Sequence, residues 1–281
     1  MSDRKIIAVV GATGAQGGGL VRSILADPDS PFAVRAITRR AWSDKAKALA
    51  RLGADVVEAD VDDPDTLAAA FEGAYGAFCM TSFFEHFSAS WELRQARALA
   101  EAVRAAGVQH VVWSTQEDVR TFFPLDDERL PTLQDRFKVP SSDAKGEADA
   151  FFADLPTTYV VPAFYWDNFI NFDMGPRRMP HGLVLAMPLG GAFLPGVAAE
   201  DIGATVHAIF ARGPELIGQR IGIAGDMLRG PAMAEAMAGA LGEPVNFYDI
   251  PFAEFRAFEF PGADIIANSF EFMSLNNLSV C

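Results

Sequence analysis

Three glycines carry the clearest chemistry in the chain. Gly11, Gly14 and Gly17 are spaced GxxGxxG within Gly11-Ala12-Thr13-Gly14-Ala15-Gln16-Gly17, directly after an apolar run and at the start of a helical pattern. In that context the first glycine permits a tight turn, the second lets backbone approach a pyrophosphate, and the third lets helix and strand pack closely. The N–H groups of Thr13, Ala15 and Gln16 would then face phosphate charge. The bland alternative is an ordinary strand-to-helix turn. At the end of the next apolar run stands Thr38-Arg39-Arg40. An acidic residue there bonds the ribose 2′-OH of NAD, whereas a guanidinium offers a planar fork to the 2′-phosphate of NADP. The expected cofactor is therefore NADP(H), with Arg39 on the phosphate and Arg40 assisting; a pair of solvated surface arginines is the alternative. Asp60-Val61 would lie by the adenine, and Thr81-Ser82 by the central ribose or nicotinamide, on position alone.

The elements that must hold these residues follow from apolar periodicity. Strands are expected at Lys5–Val10, Ala33–Thr38, Asp55–Glu58, Tyr75–Met80, His110–Ser114 and Thr158–Val161. Helices are expected at Gly17–Ala26, Asp44–Leu52, Pro64–Glu72 and Ala89–Ala106. Asp63-Pro64 supplies an N-cap and a first-turn proline, while Gly53, Gly73 and Gly107 close helices where a positive φ is wanted. Strand and helix alternate, which gives a parallel sheet with helices on both faces. After Val161 prolines at 162, 176, 180, 188 and 195 break the rhythm around a strand-like Leu183–Met187 and a helix Glu200–Phe210. That stretch reads as a smaller second lobe, with a soft boundary near 155–165, so the expected division is 1–160 and 161–281.

Composition narrows the function classes. Half of the 281 residues are hydrophobic and 21% are charged, as in a globular protein. A net charge of −14 disfavours nucleic acid, which needs a basic surface. No apolar run approaches the roughly 20 residues that span a bilayer, and the N-terminus shows no cleavable signal, so a cytoplasmic protein is expected. Cys79 and Cys281 form no disulfide framework and read as a buried thiol and a tail thiol. His86, His110, His181 and His207 lack metal-ligand spacing, and no metal is expected.

The chain resembles the NmrA-like family, atypical members of the short-chain dehydrogenase/reductase superfamily. The resemblance runs from Val10–Gly18 through Thr38-Arg39, Gly53–Val57, Gly73–Tyr75, Val111–Ser114, Lys145-Gly146-Glu147, Pro162–Phe169 and Asp201-Ile202-Gly203 to Phe260–Ala263. It implies an α/β fold: a Rossmann-type doubly wound parallel sheet, NADP(H)-binding, with a smaller C-terminal α/β substrate or partner lobe. Relatives continue for about another strand and helix, so that lobe is expected to be trimmed or completed differently. Two careers are implied. Some members are NADP(H) sensors that regulate a protein partner; others reduce small hydrophobic molecules of quinone, imine or enone type. A homo-oligomer is compatible with either.

Carbonyl reduction in the wider superfamily uses Tyr-x-x-x-Lys, the lysine lowering the tyrosine pKa. Here the segment is Ser141-Ser142-Asp143-Ala144-Lys145: the lysine is present and the tyrosine is not. Lys145, on a helix expected at Ser142–Leu155, stands as a ribose ligand or an acid/base group, or else as a solvated lysine. Ser114 falls at the superfamily's catalytic serine position and could equally bond backbone locally. Tyr165 and His86 are candidate proton donors, against readings as pocket wall and loop residue. Phe83, Phe84, Phe87, Phe122, Phe123, Phe164 and Phe169 fall where the nicotinamide should lie; they suit a flat apolar acceptor, or bury one another. The acidic residues Glu117-Asp118 and Asp126-Asp127-Glu128 read as a solvated loop.

Overall fold

A computed structural model describes residues 4–276. They divide into two compact units. The first comprises the chain up to Glu117 together with Ala144–Pro162 and Ala199–Ile223; the second comprises Asp118–Asp143, Ala163–Ala198 and the chain from Ala224 onward.

The first unit runs β1 (Lys5–Val9), α1 (Ala15–Ala26), β2 (Phe32–Thr38), α2 (Asp44–Arg51), β3 (Asp55–Glu58), α3 (Pro64–Phe71), β4 (Gly76–Cys79), a 3-10 turn Phe83–Glu85, α4 (Ala89–Ala105), β5 (His110–Ser114), most of α5 (Pro140–Phe152), β6 (Thr157–Pro162), α7 (Ala199–Arg212) and β11 (Arg220–Ile223). Its seven strands form one sheet in the order β11-β6-β5-β4-β1-β2-β3, every neighbouring pair parallel. A parallel sheet covered on both faces needs strands that are apolar throughout, and β4 and β5 are buried at every residue. Phe71, Phe78 and Trp113 anchor this core, Trp113 stacking on Phe152 with ring centroids 4.5 Å apart. Each such ring contributes about 2–3 kcal/mol by leaving water.

The helix ends follow the local chemistry in part. Gly53, Gly73 and Gly107 take φ of +106°, +69° and +64°. Pro64 opens α3 as expected, but the Asp63 side chain makes no capping bond. Ser43 and Ser88 do cap, accepting from the N–H of Ala46 and Trp91.

The second unit holds two three-stranded sheets. One has the order β12-β10-β7, from β7 (Phe164–Tyr165), β10 (Leu194–Val197) and β12 (Asp226–Leu228); the other has the order β13-β9-β8, from β8 (Arg177–Met179), β9 (Gly182–Met187) and β13 (Val245–Asp249). The helices α6 (Asn168–Asn171), α8 (Gly230–Leu241), α9 (Phe252–Arg256) and α10 (Ala263–Asn276) accompany them. Phe164, Trp166, Phe169 and Phe270 pack on a cluster of Leu185, Met187, Leu194 and Met233. Lys138 is buried, its Nζ donating to the carbonyls of Leu125, Asp127 and Leu130.

A single division at 160 does not describe this chain. The break after β6 is present, but the segment 118–143 belongs with the later residues, and the chain returns at 199 to add α7 and a seventh strand to the first unit. The prolines mark 163–198 and give no sign of the return. Two glycines let the returning helix pack. A β-carbon on Gly203 of α7 would lie 2.1 Å from the backbone carbonyl carbon of Gly19 on α1, so the two helices cross backbone to backbone. Among the described residues no helix is long and apolar enough to cross a membrane, and no group of His, Cys, Asp and Glu could hold a metal ion. Cys79 is fully buried and burial pushes its thiol pKa far up, whereas Cys281 lies outside the described residues.

Two expectations follow. Gly203→Ala should cost about 3 kcal/mol, because backbone at the crossing cannot yield as a side chain would; an unchanged urea midpoint would refute the crossing. His110, fully buried, shares its Nε2 with the Thr158 hydroxyl at 2.9 Å. Thr158 sends its own proton to the carbonyl of Leu216, so Nε2 carries the imidazole proton and Nδ1 is left without a partner. Burial lowers this pKa from 6.5 to about 4. The unfolded chain therefore binds a proton that the folded chain refuses, and stability present above pH 6.5 falls as pH drops toward 4, by up to about 3 kcal/mol. That pH-dependent component should be missing from His110→Gln in unfolding measured across the window.

Candidate functional site

The order β4-β1-β2 places β1 where the sheet reverses its direction of growth, with β4 on one side and β2 on the other. Ligands of such sheets sit outside the carboxyl ends of the strands at that point. The glycine loop leaves β1 there. Gly11 has φ +66°, which folds the chain so that the Gly14 N–H reaches the Gly11 carbonyl at 2.8 Å. A β-carbon on Gly17 would lie 2.6 Å from that same carbonyl oxygen, so only glycine fits. Gly14 is the N-cap of α1 and brings no capping side chain, so the helix opens with its backbone N–H groups at the end of β1. The first turn holds no acidic residue. Thr13 is half-buried in the turn between Gly11 and Gly14. The cradle fits a diphosphate in shape and in sign.

Arg39 and Arg40 follow β2 as expected. Arg40 is exposed; the Arg39 guanidinium reaches Glu85 in the 3-10 turn, Nη2 to Oε2 at 2.8 Å, with both side chains half exposed. Asp60 and Val61 follow β3. The Asp60 carboxylate accepts from the Asp62 N–H, and Asp62 in turn accepts from the Trp91 indole at 2.5 Å and from Gln95 at 2.9 Å.

At the ends of β4 and β5 lies a largely buried polar cluster. Lys145 comes from α5, and its Nζ donates to the Thr81 hydroxyl at 2.8 Å and the Thr81 carbonyl at 3.1 Å, and pairs with Glu92 Oε1 at 3.1 Å. It also lies 3.5 Å from the carbonyl of Ser114. The Thr81 hydroxyl donates to Glu92 Oε1 at 2.6 Å. Glu92 is fully buried. Its other oxygen faces His86 Nε2 at 3.6 Å, too far for a hydrogen bond. His86 Nδ1 accepts the Ser88 N–H, which leaves the proton on Nε2, and the ring stacks on Trp91 at 5.2 Å. Ser114 is buried; its hydroxyl donates to Gln16 Oε1 at 2.8 Å. The glycine loop and the lysine thus converge on one serine, through its side chain and its backbone. Helix α5 is itself pinned: Asp149 accepts from Thr115, Trp113 and Arg220, and Thr115 also bonds the Lys145 carbonyl. Burial raises the Asp149 pKa despite these donors.

The structure gathers Gly11 to Gly17, Thr81, Ser114, Lys145 and His86 in the first unit. Tyr165 lies in the second, on β7, where it pairs with Val197 of β10. The seven phenylalanines divide likewise. Phe83, Phe84 and Phe87 pack edge to face with one another in the first unit, while Phe122 and Phe123 meet Phe272 and Phe164 meets Phe169 in the second. Sequence reasoning passed over Glu92. Its signal was available: Glu92, Gln95, Ala96, Leu99 and Val103 make the buried stripe of α4, and a carboxylate on such a stripe needs a cation.

The NmrA-like family model matches residues 3–279. The chain belongs to this family. A relative named as an NmrA-like family domain-containing oxidoreductase, from Malbranchea aurantiaca, is 31% identical over 74% of this chain and 64% of its own length, so the chain spans less than two thirds of that protein. Among solved structures NmrA, a negative transcriptional regulator determined with NAD and with NADP, superposes with a TM-score of 0.79 at 24% identity, over 97% of this chain and 82% of its own. A Citrobacter sp. triphenylmethane reductase complexed with NADP(H) does so at 0.77 and 20%, over 98% and 91%. These likenesses establish the Rossmann-type fold of this NmrA-like protein.

Removing one partner of a buried ion pair strands the other. Lys145→Met should cost about 3–5 kcal/mol, and Lys145→Met with Glu92→Gln much less than the sum of the single changes. Additive losses in urea unfolding would mean that the pair is not coupled.

Proposed function

We propose that this NmrA-like protein is an NADPH-dependent reductase that transfers hydride to a hydrophobic small molecule of quinone, imine or enone type. The observation that carries the proposal is the convergence of Gln16, from the phosphate cradle, and Lys145, from the buried cluster, on Ser114. A buried ion pair is a poor source of stability, so Lys145 and Glu92 are better understood through what the ammonium does at the strand ends. When bound, NADPH supplies the hydride. The chain's part is to hold the diphosphate on the N-terminus of α1, to meet the 2′-phosphate with Arg39, and to place a protonated amine beside the acceptor.

Lys145 gives one proton to the anion that hydride addition leaves, and recovers it from solvent. The net change is acceptor plus NADPH plus H⁺ to reduced acceptor plus NADP⁺. Thr81 and Glu92 aim the amine by fixing three of its contacts. His86, whose Nε2–H faces Glu92, belongs to the lysine's surroundings in this scheme. Phe84, half exposed beside Phe83 and Phe87, supports an apolar acceptor.

A second reading rests on Ser141, which stands where the superfamily's tyrosine would be and has no accessible pKa for proton transfer. A fold held for NADP(H) sensing, with a protein partner, needs no proton donor; NmrA itself is described as a negative transcriptional regulator.

Absorbance at the dihydronicotinamide band separates the two. With a panel of quinones, imines and enones the wild type should consume NADPH, and Lys145→Met should be slower by about 100-fold, the range of general acid catalysis. Tight NADPH binding with no consumption across the panel would decide for the sensor. Arg39→Asp should cost NADP(H) affinity at least about tenfold more than NAD(H) affinity, by loss of a charge-assisted bond; equal losses would remove Arg39 from the phosphate.

A further inference from the structure

We propose that Glu85 occupies Arg39 as a stand-in for the 2′-phosphate of NADP, so that the phosphate must displace it, and that the displacement releases the turn Phe83–Phe87. Glu85 would then set the margin of NADP over NAD and report the phosphate to the lysine cluster. The inference rests on Arg39 being the phosphate ligand.

The contact is direct: Arg39 Nη2 lies 2.8 Å from Glu85 Oε2. A guanidinium fork that holds a carboxylate is in the geometry that also receives a phosphate monoester, and the two anions compete for the same donors. The dianion binds more strongly than an exposed carboxylate, whose pairing at such half-exposed sites is weak. NAD, with a hydroxyl in place of the phosphate, leaves the pair intact.

The turn that carries Glu85 is short and tied at both ends. Glu85 and His86 close it through the carbonyls of Ser82 and Phe83, and Phe87 takes φ +56°, a left-handed conformation that strains a non-glycine residue. Glu85 holds one side of this turn to Arg39. The next residue, His86, holds the other, stacked on Trp91 and facing the Glu92 carboxylate that pairs with Lys145. Freeing Glu85 therefore loosens a strained turn whose neighbouring residue stacks on a tryptophan, and the phosphate end of the cofactor is coupled to the lysine end by one peptide bond.

The probes are NADP⁺ and NAD⁺, with 2′,5′-ADP and 5′-AMP as their adenosine halves. Calorimetry gives affinities; tryptophan emission, with Trp91→Phe as the control, follows the turn. NADP⁺ and 2′,5′-ADP should change Trp91 emission in the wild type, and NAD⁺ and 5′-AMP should not. Glu85→Gln should bind the two phosphorylated probes about two- to fivefold more tightly, leave the other two unchanged, and show the released emission without ligand. Glu85→Asp keeps the charge but shortens the reach, and should share the tightening; if it binds as wild type while Glu85→Gln tightens, a general field acts and displacement is refuted. Arg39→Ala separates the two claims. Selective loss of NADP⁺ affinity in Arg39→Ala with wild-type affinity in Glu85→Gln overturns the displacement alone. An equal loss of NADP⁺ and NAD⁺ in Arg39→Ala overturns the phosphate assignment beneath it.

Discussion

The first unit depends on what helix α1 lacks. Along its first turns Gly14, Gly17 and Gly19 present backbone where other helices present β-carbons, and two contacts follow that no larger residue would allow. Gly17 lets the helix start lie against the carbonyl of Gly11, just past the end of β1. Gly19 lets α7 cross at backbone distance, which fixes a helix that comes from far along the chain. The same run of small residues costs helix propensity, about 1 kcal/mol for each glycine relative to alanine. Tertiary packing must supply that, and α1 is correspondingly buried through Gly19, Leu20, Val21 and Ile24.

A second constraint is electrostatic. Glu92 is wholly removed from water and could not remain charged alone. Lys145 answers one oxygen, Thr81 bonds both partners, and His86 faces the other oxygen without closing a hydrogen bond. Behind the lysine α5 is fixed by Asp149, which joins β5, β11 and α5 through Trp113, Thr115 and Arg220. Lys145 therefore has work to do in the charge balance of this cluster with or without a ligand.

Much of this was legible in sequence because the signals are local. The glycine loop, the alternation of strand and helix, and the turn glycines depend on residues a few positions apart, and backbone sterics read them directly. Contacts across the chain were not legible in the same way. Asp63 has the chemistry of a cap yet makes no capping bond, while Ser43 does cap its helix, and only the fold decides between them. Nothing local in the sequence marks Lys138 as the lysine around which three carbonyls fold. Glu117 and Asp127, in what reads as a solvated acidic loop, are held by Arg220 and Arg129. The return of the chain brings Gly203 of α7 against Gly19 of α1, a pair distant in sequence and unremarkable singly. Glu92 is the exception: its place on an apolar stripe was visible, and its partner was not.

The acid-free first turn of α1 also bears on how fast an anion arrives. A chain with net charge −14 repels a polyanion at long range, yet the last few ångströms before the glycine loop are governed by N–H groups and the positive end of a helix. Salt screens the first influence over a Debye length of about 10 Å at 0.1 M and hardly touches contacts inside the cradle. Encounter should therefore quicken as ionic strength rises, while dissociation changes little. An anion at the start of α1 would thus meet a locally favourable helix end within an otherwise repulsive field.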